Sequence, residues 1–225
     1  MLDFGREQKA LKRLVFISTS EVYAGTLQYY SMKIPTPEDT PLTVTGLSEN
    51  RTSYMLSKIY GEALSLHSGL PTTIVRPHNF YGPRMGLSHV IPELFKKAYF
   101  ANDGALDVFS PDHKRTFCYI DDAVEMMIIL AESKQSLGQT FNIGNESPEI
   151  TIKELAEKII KITGKNLTII PKSTTAGSPS RRCPDMSHTI SITEYSPKID
   201  LLAGLKRTFD WYKSNVFESN GLSAV

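Results

Sequence analysis

The sequence predicts an α/β chain built on a parallel sheet with helices on both faces. Two observations carry this. Short, continuous apolar runs occur at Leu14-Val15-Phe16-Ile17, Thr72-Thr73-Ile74-Val75 and Thr140-Phe141-Asn142-Ile143, the pattern of strands buried on both faces. Between them, apolar residues recur at three- and four-residue spacing, so strands alternate with helices.

Taken in order, Gln8 to Arg13 reads as the last turn of a helix leading into the strand Leu14 to Ile17. A polar loop follows from Gly25 to about Arg51, with Pro35, Pro37 and Pro41 as breakers. From Ser53 the pattern is helical: Met55, Ile59, Glu62-Ala63 and Leu66 share a face, and Gly69 with Pro71 supplies the stop. The strand Thr72 to Val75 runs into Arg76-Pro77-His78-Asn79-Phe80-Tyr81-Gly82-Pro83. A helix over Val90 to Tyr99, short strands over Leu106 to Ser110 and Arg115 to Ile120, and a helix from Asp121 to about Ser133 come next, with Asp121 as N-cap. After the third core strand, Thr151 and Glu154 form a capping box for a further helix. A strand over Leu167 to Pro171, a loop rich in Ser, Pro and Arg, and a helix from Asp200 to Lys213 follow.

Lys and Arg number 25 against 24 Asp and Glu in 225 residues, so no charge excess draws the chain to nucleic acid or an anionic membrane. An anionic ligand would have to be held by a few placed cations. Cys118 and Cys183 are far apart and lack metal-ligand spacing, so neither a disulfide framework nor a metal site is expected. Cys118, in an apolar run, reads as a buried thiol. The apolar run Leu14 to Ile17 is far too short for a signal segment or a membrane span. A soluble, cytoplasmic protein is the expectation.

Tyr54 and Lys58 place a phenol and an ammonium four residues apart, on one face of the predicted helix. A free phenol titrates near about ten, and a fixed positive charge nearby favours its ionised form. Tyr54 could then accept a proton from a sugar hydroxyl. The spacing alone is weak, since Tyr29 and Lys33 repeat it in the Pro-rich loop, and a surface pair is the plain alternative. Only the Tyr54 copy lies on a helix, after a strand that ends in Ser18-Thr19-Ser20-Glu21-Val22-Tyr23. Ligands of open parallel sheets sit beyond the carboxyl ends of strands, where these hydroxyls would meet a polyhydroxylated substrate. A cap or turn is the competing role for them.

With these motifs assembled, the chain resembles the extended short-chain dehydrogenase/reductases that act on nucleotide sugars: 4-epimerases, 4,6-dehydratases and uronic acid decarboxylases. The resemblance rests on the Ser18 to Tyr23 strand end, the Tyr54/Lys58 pair, the Arg76 to Pro83 segment, Arg115-Thr116-Phe117-Cys118-Tyr119-Ile120-Asp121-Asp122, Phe141-Asn142-Ile143-Gly144 and Arg182-Cys183-Pro184-Asp185. It implies an incomplete Rossmann-like parallel sheet plus a small α/β substrate-binding lobe. Residues 1–79 and 114–145 would form the core, and 80–113 and 146–225 the lobe. Tyr54 would be the acid/base, with Lys58 lowering its pKa and binding the nicotinamide ribose of NAD. Thr19 would hold the sugar hydroxyl being oxidised, Glu21 would join the catalytic set, Ser18 would lie on the cofactor side and Ser20 on the substrate side. Asn79, Arg115 and Arg182 would hold the substrate diphosphate, a role suited to a planar guanidinium. A surface salt bridge for either arginine, or a turn at Asn79, remains the alternative. In the 4,6-dehydratases an Asp stands where this chain has Ser20, which argues against dehydration. Thr-Ser-Glu with a nearby Arg is more similar to the decarboxylases, and an epimerase is not excluded.

The family's Gly-x-x-Gly-x-x-Gly turn, which binds the cofactor pyrophosphate at a helix start, has no counterpart among the glycines. The resemblance thus implies that the first βαβαβ half is lacking and that NAD binding is weak or absent. It also implies an unpaired edge at Leu14 to Ile17, covered by another chain or accompanied by a homodimer built on the Tyr54 helix. The competing reading is an inactive remnant that binds a nucleotide sugar or a partner chain.

Overall fold

The computed structural model describes residues 1–174 and 177–219. In chain order the elements are α1 (Leu2–Glu7), β1 (Leu14–Ile17), a 3-10 turn (Ser20–Tyr23) running into α2 (Ala24–Tyr29), α3 (Thr52–Leu66), β2 (Thr72–Pro77), β3 (Phe80–Tyr81), α4 (Val90–Phe100) and β4 (Ala105–Phe109). Then come β5 (Lys114–Arg115), β6 (Cys118–Tyr119), α5 (Ile120–Glu132), β7 (Thr140–Ile143), β8 (Ile150–Thr151), α6 (Ile152–Thr163), β9 (Thr168–Lys172), β10 (Arg181–Arg182), α7 (Ser187–Thr193) and α8 (Leu201–Tyr212).

The three apolar runs form one parallel sheet in the order β1-β2-β7, with Leu14 beside Thr72 and Ile74 beside Thr140. Alternation along β2 decides which helix covers which face. Thr72 and Arg76 reach α3, through Ser65 O and Glu62. Thr73 donates to Ser136 O, just beyond α5, and Val75 packs with Met126 and Leu130 of α5. Helices α3 and α5 therefore lie on opposite faces. A second apolar cluster joins α4, α6 and α8, where Phe95 stacks on Phe209 at 5.1 Å between ring centroids.

Several elements depart from the expectation for physical reasons. Strand β1 is half-buried and its Ile17 exposed, because it has one neighbour and sits at the sheet edge among the described residues. The helix before it ends at Glu7, and Gln8 to Arg13 is turn and extended chain. The loop from Gly25 begins as α2, before its proline breakers. The single strand expected over Arg115 to Ile120 splits into β5 and β6, which join different sheets. Asp121 does not cap α5: that helix starts at Ile120 with no side-chain cap. Its neighbour Asp122 turns inward instead and accepts from the Tyr195 hydroxyl and the Lys198 and Ile199 amides. The Thr151/Glu154 capping box is present, and Asp200 caps α8 through the Ala203 amide.

Just past β2, His78 is buried with Nε2 3.0 Å from Asn142 Oδ1. That oxygen accepts, so Nε2 carries the proton of a neutral ring. Burial, with the Arg182 and Arg76 charges adding to it, pushes the His78 pKa down to about 3 against the opposing Asn142 bond. The unfolded chain then binds a proton below about pH 6.5 that the folded chain refuses until far lower. Stability conferred by neutral His78 is complete above that value and is lost as pH falls toward the folded pKa. In urea unfolding, His78→Gln should shrink the drop in stability between pH 7 and pH 5 relative to the parent chain; an unchanged drop would contradict this.

Candidate active site

At the carboxyl end of β1 the chain turns at Ser18-Thr19 into the 3-10 turn. Thr19 caps that turn, its Oγ1 accepting the Glu21 amide at 3.2 Å. Its hydroxyl proton makes no bond among the described residues. The same turn buries Glu21, whose Oε1 takes Arg182 Nη2 at 2.7 Å and Arg51 Nη2 at 3.1 Å.

Helix α3 supplies the other wall. Tyr54 lies in its first turn and is 44% exposed, leaving the phenol accessible. One turn on, Lys58 Nζ lies 5.7 Å from the Tyr54 ring centroid and donates to Ile17 O at 2.8 Å. It also sits 5.6 Å from the Phe16 ring centroid. This close approach of α3 to β1 depends on Gly61, where a Cβ would come within 2.3 Å of the Phe16 ring.

A cleft of about 550 Å³ gathers Thr19, Ser20, Glu21, Tyr54, Asn79 and Arg182. Asn79 adopts φ 46° and anchors through Nδ2 to Thr116 O at 2.9 Å, so its side-chain carbonyl still faces no protein partner among the described residues. Three sequence-predicted residues do not line the cleft. Lys58 reaches it only through its neighbour Tyr54. Ser18 donates inward to Glu62 Oε1 at 2.5 Å. Arg115 lies beside Arg182 across β5 and β10, yet its guanidinium is taken up by Lys114 O, Ser178 Oγ and Pro179 O. Burial, then the Arg182 charge, brings the Arg115 pKa down to about 10. Two cations in the cleft, Arg51 and Arg84, were not singled out from the sequence. They flank the Tyr54 helix and the Arg76 to Pro83 segment, and a survey of cations bordering those motifs would have found them.

The model of the NAD dependent epimerase/dehydratase family matches residues 1–144. The chain belongs to this family. Among curated proteins it is similar to UDP-N-acetyl-alpha-D-glucosaminuronate decarboxylase of Bacillus cytotoxicus, 33% identical over 217 residues, covering 91% of this chain and 65% of the relative. It is also 30% identical to UDP-glucuronic acid decarboxylase 1 of Arabidopsis thaliana, over 96% of this chain and 49% of that protein. The chain thus spans less than two thirds of the length of these relatives. Among solved structures, UDP-glucuronic acid 4-epimerase from Bacillus cereus, in complex with UDP-glucuronic acid and NAD, superposes with TM-score 0.75 at 26% identity, covering 95% of this chain and 65% of that one. The Thermotoga maritima UDP-glucose 4-epimerase shares the fold, with TM-score 0.78 at 23% identity over 95% of this chain and 67% of that one.

The donor set fits one end of the family's NAD. The Tyr54 hydroxyl has no partner among the described residues, and Lys58 spends one of its three N–H donors, on Ile17 O. Free donors of this kind, at a strand's carboxyl end, suit the vicinal hydroxyls of a ribose. No glycine-rich turn in the sequence matches the pyrophosphate. Among the described residues, no three His, Cys, Asp or Glu side chains converge to hold a metal, and no helix is long and apolar enough to cross a membrane.

Gly61→Ala forces the Phe16 ring, and with it the Lys58 contact, to move. Overpacking of this kind should cost about 1–3 kcal/mol in urea unfolding; an unaltered midpoint would show that α3 does not depend on the approach.

Proposed function

We propose that the chain handles the sugar end of a nucleotide sugar in an NAD-dependent modification that passes through a 4-keto sugar, of the epimerase or decarboxylase type. The observation that carries this reading is the one cleft that Thr19, Tyr54, Asn79 and Arg182 share.

Thr19, one of whose two acceptor lone pairs takes the Glu21 amide, donates its hydroxyl proton to the C4 oxygen of the sugar and orients it. Tyr54, acting as its phenolate, takes the C4 hydroxyl proton to become the neutral phenol and returns it when the alcohol is re-formed. NAD, bound through Lys58 and Tyr54, would supply acceptance and return of the hydride from the same carbon. Asn79 and Arg182 hold the diphosphate, Arg182 being steadied by buried Glu21. Arg115, one strand over, reaches a phosphate only if its bonds to the 178–179 loop open. Ser20 offers no carboxyl group for a dehydration step.

A second reading, a nucleotide-sugar-binding module without turnover, rests on Asn79 and Arg182, which line the cleft as anion ligands would. One assay separates the two. The chain is incubated with NAD and UDP-sugars, with absorbance at 340 nm and product chromatography as readouts. Turnover that falls by about 10²-fold or more in Tyr54→Phe, the loss expected for a general acid/base, supports the enzyme. Equal turnover in that variant contradicts it. Sugar-nucleotide binding with no turnover in the parent chain supports the module.

A further inference from the structure

Within β7 stands a residue that strands do not favour: Asn142, fully buried between the apolar Phe141 and Ile143. Its side chain uses its whole hydrogen-bonding capacity, two donors and two lone pairs. Nδ2 donates to Thr36 O at 2.9 Å and to Asp185 O at 3.2 Å. Oδ1 accepts from the Tyr23 hydroxyl and from His78 Nε2, each at 3.0 Å. Carbonyls at one end of the amide and donors at the other fix which way it points.

These partners belong to the segments that carry the cleft, although Asn142 does not itself line it. Tyr23 closes the 3-10 turn that holds Glu21 and is capped by Thr19. His78 precedes Asn79, and Asp185 follows Arg182 by three residues. Thr36 grips the Arg182 segment as well: its amide donates to Cys183 O and its carbonyl accepts the Asp185 amide, both at 2.9 Å. Arg182 depends on such a hold. Its Nη2 bonds Glu21 at 2.7 Å, while its buried Nε has no hydrogen-bond partner among the described residues. Backbone placement therefore decides where much of the guanidinium sits. An aspartate at 142 would match the shape but lack the amide donors that tie Thr36 and Asp185 to β7.

We infer that Asn142 is a positioning residue for Arg182: it holds the 182–185 segment in register with the Thr19 turn and Asn79, and so sets the affinity of the cleft for a nucleoside diphosphate without touching it. This rests on the nucleotide-sugar reading above and names the residue that keeps one of its anion ligands in place.

The test is a double-mutant cycle by calorimetric titration with UDP, using the 225-residue chain, Asn142→Asp, Arg182→Gln and the double variant. Circular dichroism checks that each is folded. Asn142→Thr, which keeps one donor and suits a strand, takes its place in the same cycle if Asn142→Asp does not fold. Replacing Asn142 should weaken UDP binding by about tenfold, the effect of losing one charge-assisted contact. The same replacement made on Arg182→Gln should weaken it by less than about threefold further, because the ligand it positions is gone. A variant that is less stable in urea yet binds UDP like the parent overturns the inference, since a merely structural role gives that result. An equal loss with and without Arg182 overturns it too. Failure of the parent chain to bind UDP overturns the nucleotide-sugar reading itself, and the positioning role with it.

Discussion

One buried ion pair organises the sheet and the helix that carries Tyr54. Arg76, on β2, forks onto Glu62 of α3 with Nε at 2.9 Å and Nη2 at 2.7 Å from its two carboxylate oxygens. Its Nη1 donates to the Tyr23 hydroxyl and to Glu38 O. Tyr23 passes the chain of bonds to Asn142 of β7, and Ser18, at the end of β1, donates to Glu62. Burial works against the Arg76 charge, but the bonds to Glu62 and Tyr23 outweigh it and its pKa is raised. Burial pushes the Tyr23 pKa up to about 12, with Arg76 opposing, so its phenol stays protonated and donates. A buried pair need not favour folding over an apolar substitute, yet it penalises any arrangement that separates its members. Here that penalty fixes how the ends of β1 and β2 meet α3.

The cleft inherits its geometry from this arrangement. Between Lys58 and Glu62, helix α3 is tied to β1 three times: by Lys58 on the Ile17 carbonyl, by Gly61 against Phe16, and by Glu62 on Ser18. Tyr54 is one turn before the first tie and Thr19 one residue beyond the last, so the two hydroxyls share a cleft because the backbone behind them is held. Glu21 keeps Arg182 in place from the same 3-10 turn. The positions of Thr19 and Arg182 in the cleft are thus both anchored on one short stretch, Ser18 to Glu21.

Local signals in the sequence carried much of this. The apolar runs that became β1, β2 and β7 and the periodicity of α3 are short-range patterns, as is the Thr151/Glu154 box, and each has a reading independent of the rest of the fold. Helix α7 and the exchange of Asp121 for Asp122 were not legible, because Asp122 is chosen by amides more than 70 positions away in sequence. Thr19, Glu21, Tyr54, Asn79 and Arg182 were legible through motifs and meet in one cleft. Ser18 and Arg115 belong to the same motifs, yet their side chains turn to Glu62 and to the 178–179 loop, partners that no local spacing announces. Arg51 and Arg84 look like ordinary loop cations until the chain brings them to one space.

The most direct measurement is a crystal structure of the chain with UDP-glucuronate, which shows whether the sugar places its C4 hydroxyl between Thr19 and Tyr54. The C4 oxygen should lie within about 3 Å of both Thr19 Oγ1 and Tyr54 Oη, at hydrogen-bond distance. A sugar ring seated elsewhere, with neither hydroxyl in reach of C4, would contradict it.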